Sequence, residues 1–237
     1  MYEARLKVAL PAVLERLERA RSRSDGRAVR LVAVSKGHPL EAVVAAWRVG
    51  LRDCGENRVA ELDAKRAALA DLLPVADLEV QWHLIGHLQR NKARRAVALT
   101  NLIHSVDSER LAEELSQEAV RAGRTVDVLL QVNAAAEGSK SGFLTVEELL
   151  SAAVRITALQ GLRVTGLMTM APYTVDERVL RATFRGTRDR FERCAAEVAG
   201  FQPLHLSMGM SNDYEIAVEE GSTMVRIGTA LFGERQP

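Results

Sequence analysis

A lysine that closes an apolar run and precedes a glycine is the first residue in this chain with a reason to do chemistry. In RLVAVSKGHP, residues 30–39, strand alternation puts Lys36 on the same face as Val32 and Val34. If that run belongs to a closed sheet, the face is the interior and Lys36 stands at its rim, partly desolvated. Burial disfavours an ammonium, so its pKa is expected to fall, leaving more free amine to attack a carbonyl. The competing reading is a lysine directed outward with its head in water, the common fate of the residue type. The chain holds five lysines, and arginine supplies the remaining basic charge. Lys7 and Lys65 are expected on helical surfaces and Lys92 on a polar helix start. That leaves Lys36, and Lys140 in the loop at 138–142, which is either a secondary ligand-contacting lysine or an exposed one.

The second constellation lies near the C-terminus. HLSMGMSND at 205–213 and VRIGTALFG at 225–233 each end an apolar run in small residues that enter a helix. Backbone N–H groups at such turns bind phosphate without basic side chains. Ser207, Gly209, Ser211, Gly228 and Thr229 are the expected phosphate cradle, against the alternative that the glycines only make tight turns. Arg226, between Val225 and Ile227, either pairs with a carboxylate on the outer face or points inward, where it needs a buried acceptor. A pyridine nitrogen is such an acceptor. Arginine does not surrender its proton, so the ring would stay unprotonated and act as a weaker electron sink.

A barrel is the scaffold that brings these residues to one rim. Strands are expected at 30–35, 51–54, 81–85, 102–106, 126–132, 163–168, 203–207 and 223–227, alternating with amphipathic segments at 41–49, 56–73, 89–99, 108–122, 145–158, 175–199 and 212–220. Starts are marked by Asp107 or Ser108, by Thr145, and by Asn212 with Glu215 three residues on. An extra amphipathic helix opens the chain. The fold class is therefore α/β, a single (β/α)8 TIM-like barrel with an additional N-terminal helix, occupying 1–237 as one domain. In such barrels the loops after the seventh and eighth strands are the usual phosphate site.

Composition narrows the function classes. With 32 basic against 31 acidic side chains, the formal charge of +1 argues against a dedicated nucleic-acid binder. Two distant cysteines, Cys54 and Cys194, give neither a disulfide framework nor a thiolate metal site, and fit a reducing cytoplasm. His83 and His87 stand four apart, but Gly86 and a strand end between them spoil a helical ligand pair, so no metal is expected. No apolar run approaches the roughly 20 residues that cross a bilayer. P-loop, GxGxxG and GxSxG motifs are missing from the sequence.

A lysine for a Schiff base, a phosphate cradle and an arginine for a ring nitrogen together suit pyridoxal 5′-phosphate (PLP). The blocks AVSKGHP, CGENRVAE, WHLIGHLQRNK, HSVDS, LLQVNAAAEGSKSGF, GLMTM, LSMGMSND and TMVRIGTALFG resemble, in order and over nearly the whole chain, those of the pyridoxal phosphate homeostasis proteins. That family is similar to the barrel domain of fold-type III PLP enzymes, the alanine racemase N-terminal domain, without its second domain. The resemblance implies that Lys36 carries PLP covalently, that Ser207, Gly228 and Thr229 meet its phosphate, and that Arg226 faces its pyridine nitrogen. It also places Asn57 and His83 near the cofactor, His83 being alternatively a satisfied barrel histidine. Met208 and Met210 are expected to pack around the ring, since a thioether offers contact rather than acid–base chemistry. The chain departs from the commoner family pattern at Gly37, His38, Arg58, Tyr214 and Glu215. The implied function is reversible holding of PLP in intracellular vitamin B6 homeostasis, by a cytoplasmic monomer without substantial turnover, with PLP-dependent apo-enzymes as possible recipients. Two other readings share the site: a PLP-dependent amino-acid racemase, for which Tyr173 or Tyr214 would be the second proton donor, and a Schiff-base aldolase without cofactor.

Overall fold

The computed structural model describes residues 1–134 and 141–234. Among them eight strands, β1 (Arg30–Val34), β2 (Asp53–Glu56), β3 (Gln81–Leu84), β4 (Leu102–Val106), β5 (Val126–Gln131), β6 (Leu162–Met168), β7 (His205–Met210) and β8 (Met224–Ile227), pair in parallel, each with the next. β8 returns to β1 and closes the barrel, with Val32 opposite Arg226. The helices are α1 (Tyr2–Arg21), α2 (Leu40–Arg48), α3 (Val59–Leu72), α4 (Pro74–Glu79), α5 (Ala93–Leu99), α6 (Glu109–Arg121), α7 (Val146–Thr157), α8 (Glu177–Glu197), α9 (Tyr214–Glu219) and α10 (Thr229–Phe232). None of them is long and apolar enough to cross a membrane.

Alternation divides the strand residues between two cores. Val32, Leu102, Leu129, Met168 and Met224 pack together inside the barrel. Their neighbours Leu31, Ala33, Val225 and Ile227 face outward. There they meet the buried stripe of α1, Leu6, Leu10, Val13, Leu17 and Ala20, whose spacing of three and four keeps one helical face on the sheet. The extra helix thus covers the outside of the β1–β8 closure. Elsewhere in the barrel β6 passes so close to β7 that a Cβ on Gly166 would lie 1.8 Å from the His205 carbonyl oxygen, so only glycine fits.

Two strands are displaced from their expected positions. The second, expected at 51–54, runs Asp53–Glu56. Its last residue is a fully buried glutamate, a type that patterning assigns to a helix start rather than a strand interior. The seventh, expected at 203–207, continues to Met210. Thr145 caps α7 as expected, its hydroxyl accepting from the Glu148 N–H at 3.1 Å. α4 and α10, six and four residues long, escape a periodicity argument that needs several turns.

Candidate functional site

Lys36 leaves the end of β1 half-buried and lines a cavity of about 290 Å³ together with His38, Gly228, Thr229 and Glu234. The last turn of β1 and the start of α10 therefore share one concavity at the C-terminal rim of the barrel. Gly228 lies tight against the first strand, since a Cβ there would approach the Val34 carbonyl oxygen to 3.2 Å. The hydroxyl of Ser211 accepts from the Ala230 N–H at 3.3 Å, tying the loop after β7 to α10.

The backbone on both sides of Lys36 is held from behind by an ionic cluster. Lys65 Nζ donates to the Ser35 carbonyl oxygen at 2.8 Å, to Glu56 Oε1 at 2.7 Å and to Glu61 Oε1 at 2.9 Å. The Ser35 hydroxyl donates to Glu56 Oε1, and the Gly37 N–H to Glu61 Oε1, each at 2.6 Å. Lys65, expected on a helical surface, is only 7% exposed. It occupies a core-facing position of α3 between Leu62 and Leu69, because a buried carboxylate waits there. Burial pushes the Glu56 carboxyl above the ordinary carboxylate range, against the pull of the Lys65 ammonium and the Ser35 hydroxyl. Its Oε2 meets no partner among the described residues. Burial works against Glu61 too, but the Lys65 ammonium and the Gly37 amide hold its carboxyl below the usual range.

Arg226 points into the barrel and is 3% exposed. Its Nη1 donates to the Ser207 carbonyl oxygen at 2.9 Å and to Ser207 Oγ at 2.6 Å, and its Nη2 to the Thr169 carbonyl oxygen at 2.8 Å. A guanidinium has five N–H groups, so two are left that meet no acceptor among the described residues. A ligand with an acceptor ring nitrogen, an aldehyde and a phosphate fits these residues. Arg226 offers donors of the right kind, Lys36 an amine, and Gly228 and Thr229 a loop without bulk.

Other expected site residues lie elsewhere. The Ser207 hydroxyl is not in the rim cavity. It is fully buried in the barrel, where it also contacts His104 Nδ1 at 3.0 Å, because β7 alternation turns it inward beneath the loop. Met208 is corrected for the same reason: next along the strand, it faces outward and packs with Leu206 and Ala217 in the helix-covered core. Gly209, with φ of 95°, is required by close packing, since a Cβ would lie 2.6 Å from that of Ala217. His83 sits inside β3 rather than at its exit and lines a cavity of about 300 Å³ at the opposite, N-terminal pole with Arg30, Arg163 and His205. Asn57 lines a separate cavity of about 940 Å³ with Arg58, His87 and Lys92. Lys140 lies outside the described residues. Tyr173 is 95% exposed, and Tyr214 is buried with α1 under the Arg16 guanidinium. Sequence reasoning missed His104, Glu56 and Lys65. Only the Glu61–Lys65 spacing of four carried a signal for any of them. Among the described residues, no three His, Cys, Asp or Glu side chains gather as a metal site.

The profile of the family described as alanine racemase, N-terminal domain, matches residues 8–236. A pyridoxal phosphate homeostasis protein of Aquifex aeolicus is 40% identical over 230 residues, covering 96% of this chain and 97% of that one. The chain belongs to the pyridoxal phosphate homeostasis protein family. Another member, from Pseudomonas aeruginosa, is 41% identical over 89% of this chain and 86% of its own. Among solved structures, PipY of Synechococcus elongatus with PLP bound is 39% identical, with a TM-score of 0.79 over 92% of this chain and 99% of that one. An alanine racemase of Clostridium difficile, 14% identical with a TM-score of 0.72, covers 94% of this chain but only 59% of its own. At that identity the likeness is one of fold, and the family shares the racemase barrel.

Proposed function

We propose that the chain holds pyridoxal 5′-phosphate at the Lys36 cavity and serves the upkeep of that cofactor in the cytoplasm, as a monomer of one barrel, without substantial turnover. One observation carries this reading: Lys36, Gly228 and Thr229 line a single cavity, while Arg226, two residues before Gly228, keeps two N–H groups for an acceptor. The bound PLP of the similar PipY and the name of the curated relatives support it. When bound, PLP would supply an aldehyde, a group that an amine can hold reversibly. Lys36 presents that amine, its backbone fixed on either side by the Lys65 cluster. Gly228 and Thr229 meet the phosphate. Arg226 donates to the ring nitrogen and keeps its own proton, which favours retention over carbanion chemistry. Racemisation needs a second acid–base group across the substrate. The two tyrosines considered for that task lie away from the cavity, one exposed and one in the α1 core. PLP-dependent apo-enzymes are the recipients this role implies.

Protein freed of cofactor and then given PLP should gain an absorbance near the visible edge, and borohydride should fix it on the peptide containing Lys36. Label on another residue overturns the assignment. Interconversion of L- and D-amino acids that Lys36→Ala abolishes would instead establish the racemase.

A further inference from the structure

A row of polar side chains headed by Arg226 crosses the barrel, one from each of five strands. Arg226 Nη1 on β8 meets Ser207 Oγ on β7 at 2.6 Å, and that oxygen meets His104 Nδ1 on β4 at 3.0 Å. His104 Nε2 lies 2.9 Å from His83 Nδ1 on β3, and His83 Nε2 lies 2.9 Å from Asp53 Oδ1 on β2. Ser207, His104 and His83 are at most 1% exposed. The carboxylate end is more open. Asp53 is 17% exposed, has Arg30 at 3.6 Å, and adjoins the N-terminal pole that His83 lines.

The carboxylate end, with one proton on each imidazole ring, sets the direction of the bonds between the two ends. A guanidinium can only donate, so Ser207 Oγ accepts from Arg226, and its hydroxyl proton stays available for His104 Nδ1. His104 is fully buried, and burial, followed by the nearby His83 and Arg226, pushes its pKa well below 6.5, so the ring is neutral. With Nδ1 accepting, His104 carries its proton on Nε2 and donates to His83 Nδ1. His83 then donates from Nε2 to Asp53. Read from the other end the answer is the same. A carboxylate only accepts, so a bare His83 Nε2 would set two lone pairs against each other at 2.9 Å.

We propose that Asp53, His83, His104 and Ser207 form a one-directional hydrogen-bond relay that positions Arg226 from the opposite pole of the barrel. The relay turns the Ser207 lone pair toward Nη1, which anchors one edge of the guanidinium below the mouth and leaves other N–H groups for a ligand. These four are positioning residues, and their importance for the ligand rests on Arg226 facing the PLP ring nitrogen. Asp53 thereby influences a binding site that it does not touch.

The test uses the full chain in two arms. Without cofactor, side-chain nitrogen NMR should find both His83 and His104 protonated on Nε2 and bare on Nδ1. Asp53→Ala should shift the ring nitrogen signals of His104, which Asp53 does not contact, while Asp53→Asn, which retains an acceptor oxygen, should restore them. Either ring protonated on Nδ1, or a His104 spectrum indifferent to Asp53→Ala, overturns the relay. With cofactor, Asp53→Ala should weaken PLP binding about three- to tenfold, the size of one lost hydrogen bond, and should weaken it no further when Arg226→Gln is already present. An equal loss in both backgrounds overturns the positioning role. Absence of PLP binding in the parent protein would refute the proposed function and leave the cofactor-free NMR result standing.

Discussion

Replacing Lys65 by methionine keeps the apolar stem and removes the ammonium between Glu56, Glu61 and the Ser35 carbonyl oxygen. Glu56 is fully buried, and its remaining partner is the Ser35 hydroxyl. A carboxylate stranded there escapes by taking a proton, and this sets a ceiling on the damage. Starting from an unfolded pKa of about 4.3, neutralisation costs about 3.7 kcal/mol at pH 7 and about 1 kcal/mol at pH 5. The larger figure agrees with the ~3–5 kcal/mol seen when one partner of a buried ion pair is removed. The sign follows from Glu56: a carboxyl whose folded pKa is raised binds more protons folded than unfolded, so its stability contribution is present in acid and is lost as pH rises through the folded pKa. The Glu61 contribution has the opposite pH dependence, but its loss with Lys65 also costs more at neutral pH than in acid. Its folded pKa is lowered, so the stability that Lys65 confers through it exists above about pH 4.3 and fades below. Urea unfolding followed by circular dichroism at pH 7 and pH 5 measures both values. A loss under about 1 kcal/mol at pH 7, or an equal loss at both pH values, refutes an ionised Glu56 held by Lys65. Adding Glu56→Gln to the Lys65→Met chain should restore most of the stability at pH 7, because no buried charge is then left alone.

Gly166→Ala should destabilise by at least about 3 kcal/mol, or prevent folding, since its Cβ would stand 1.8 Å from the His205 carbonyl oxygen; a melting temperature within a few degrees of the parent's contradicts the strand packing. The Cys54 thiol, pushed up to about 12 chiefly by burial, should resist a disulfide reagent at pH 8 until denaturant is added, and rapid native labelling would contradict it. Burial opposes ionisation of Glu220, yet Arg185 and Arg181 hold its carboxyl below the usual range, so the stability they confer is present above about pH 4.3 and is lost as pH falls through the depressed value. Arg181→Met should therefore lose about 1 kcal/mol at pH 7, a modest figure because the arginine is partly exposed, and the difference should shrink as pH falls below about 4.3 in denaturant titrations.

Much of the scaffold was legible because hydrophobic periodicity reports it directly. β4 runs Leu102–Val106 as expected, and α7 starts after the threonine that caps it. Lys36 was legible for the same reason: two apolar neighbours at alternate positions fix its face once the strand is known. The failures cluster where a charge is buried. Patterning places β2 two residues early because Glu56 reads as surface, and it places Lys65 on the surface because its partner lies nine residues away on another element. Ser207 and Met208 share one loop motif, yet as neighbouring strand residues they face opposite ways, Ser207 into the barrel and Met208 into the helix-covered core.

By itself, the order of apolar runs and the run of motifs from Lys36 to Thr229 determined the barrel and the family. Those features are local or periodic, and a linear pattern records them. Only closure of the sheet decided that Lys65 anchors the backbone beside Lys36, and that Asp53, His83, His104 and Ser207 line up under Arg226. Contacts among residues from five strands depend on how the strands are staggered around the barrel, and no spacing along the chain encodes that stagger.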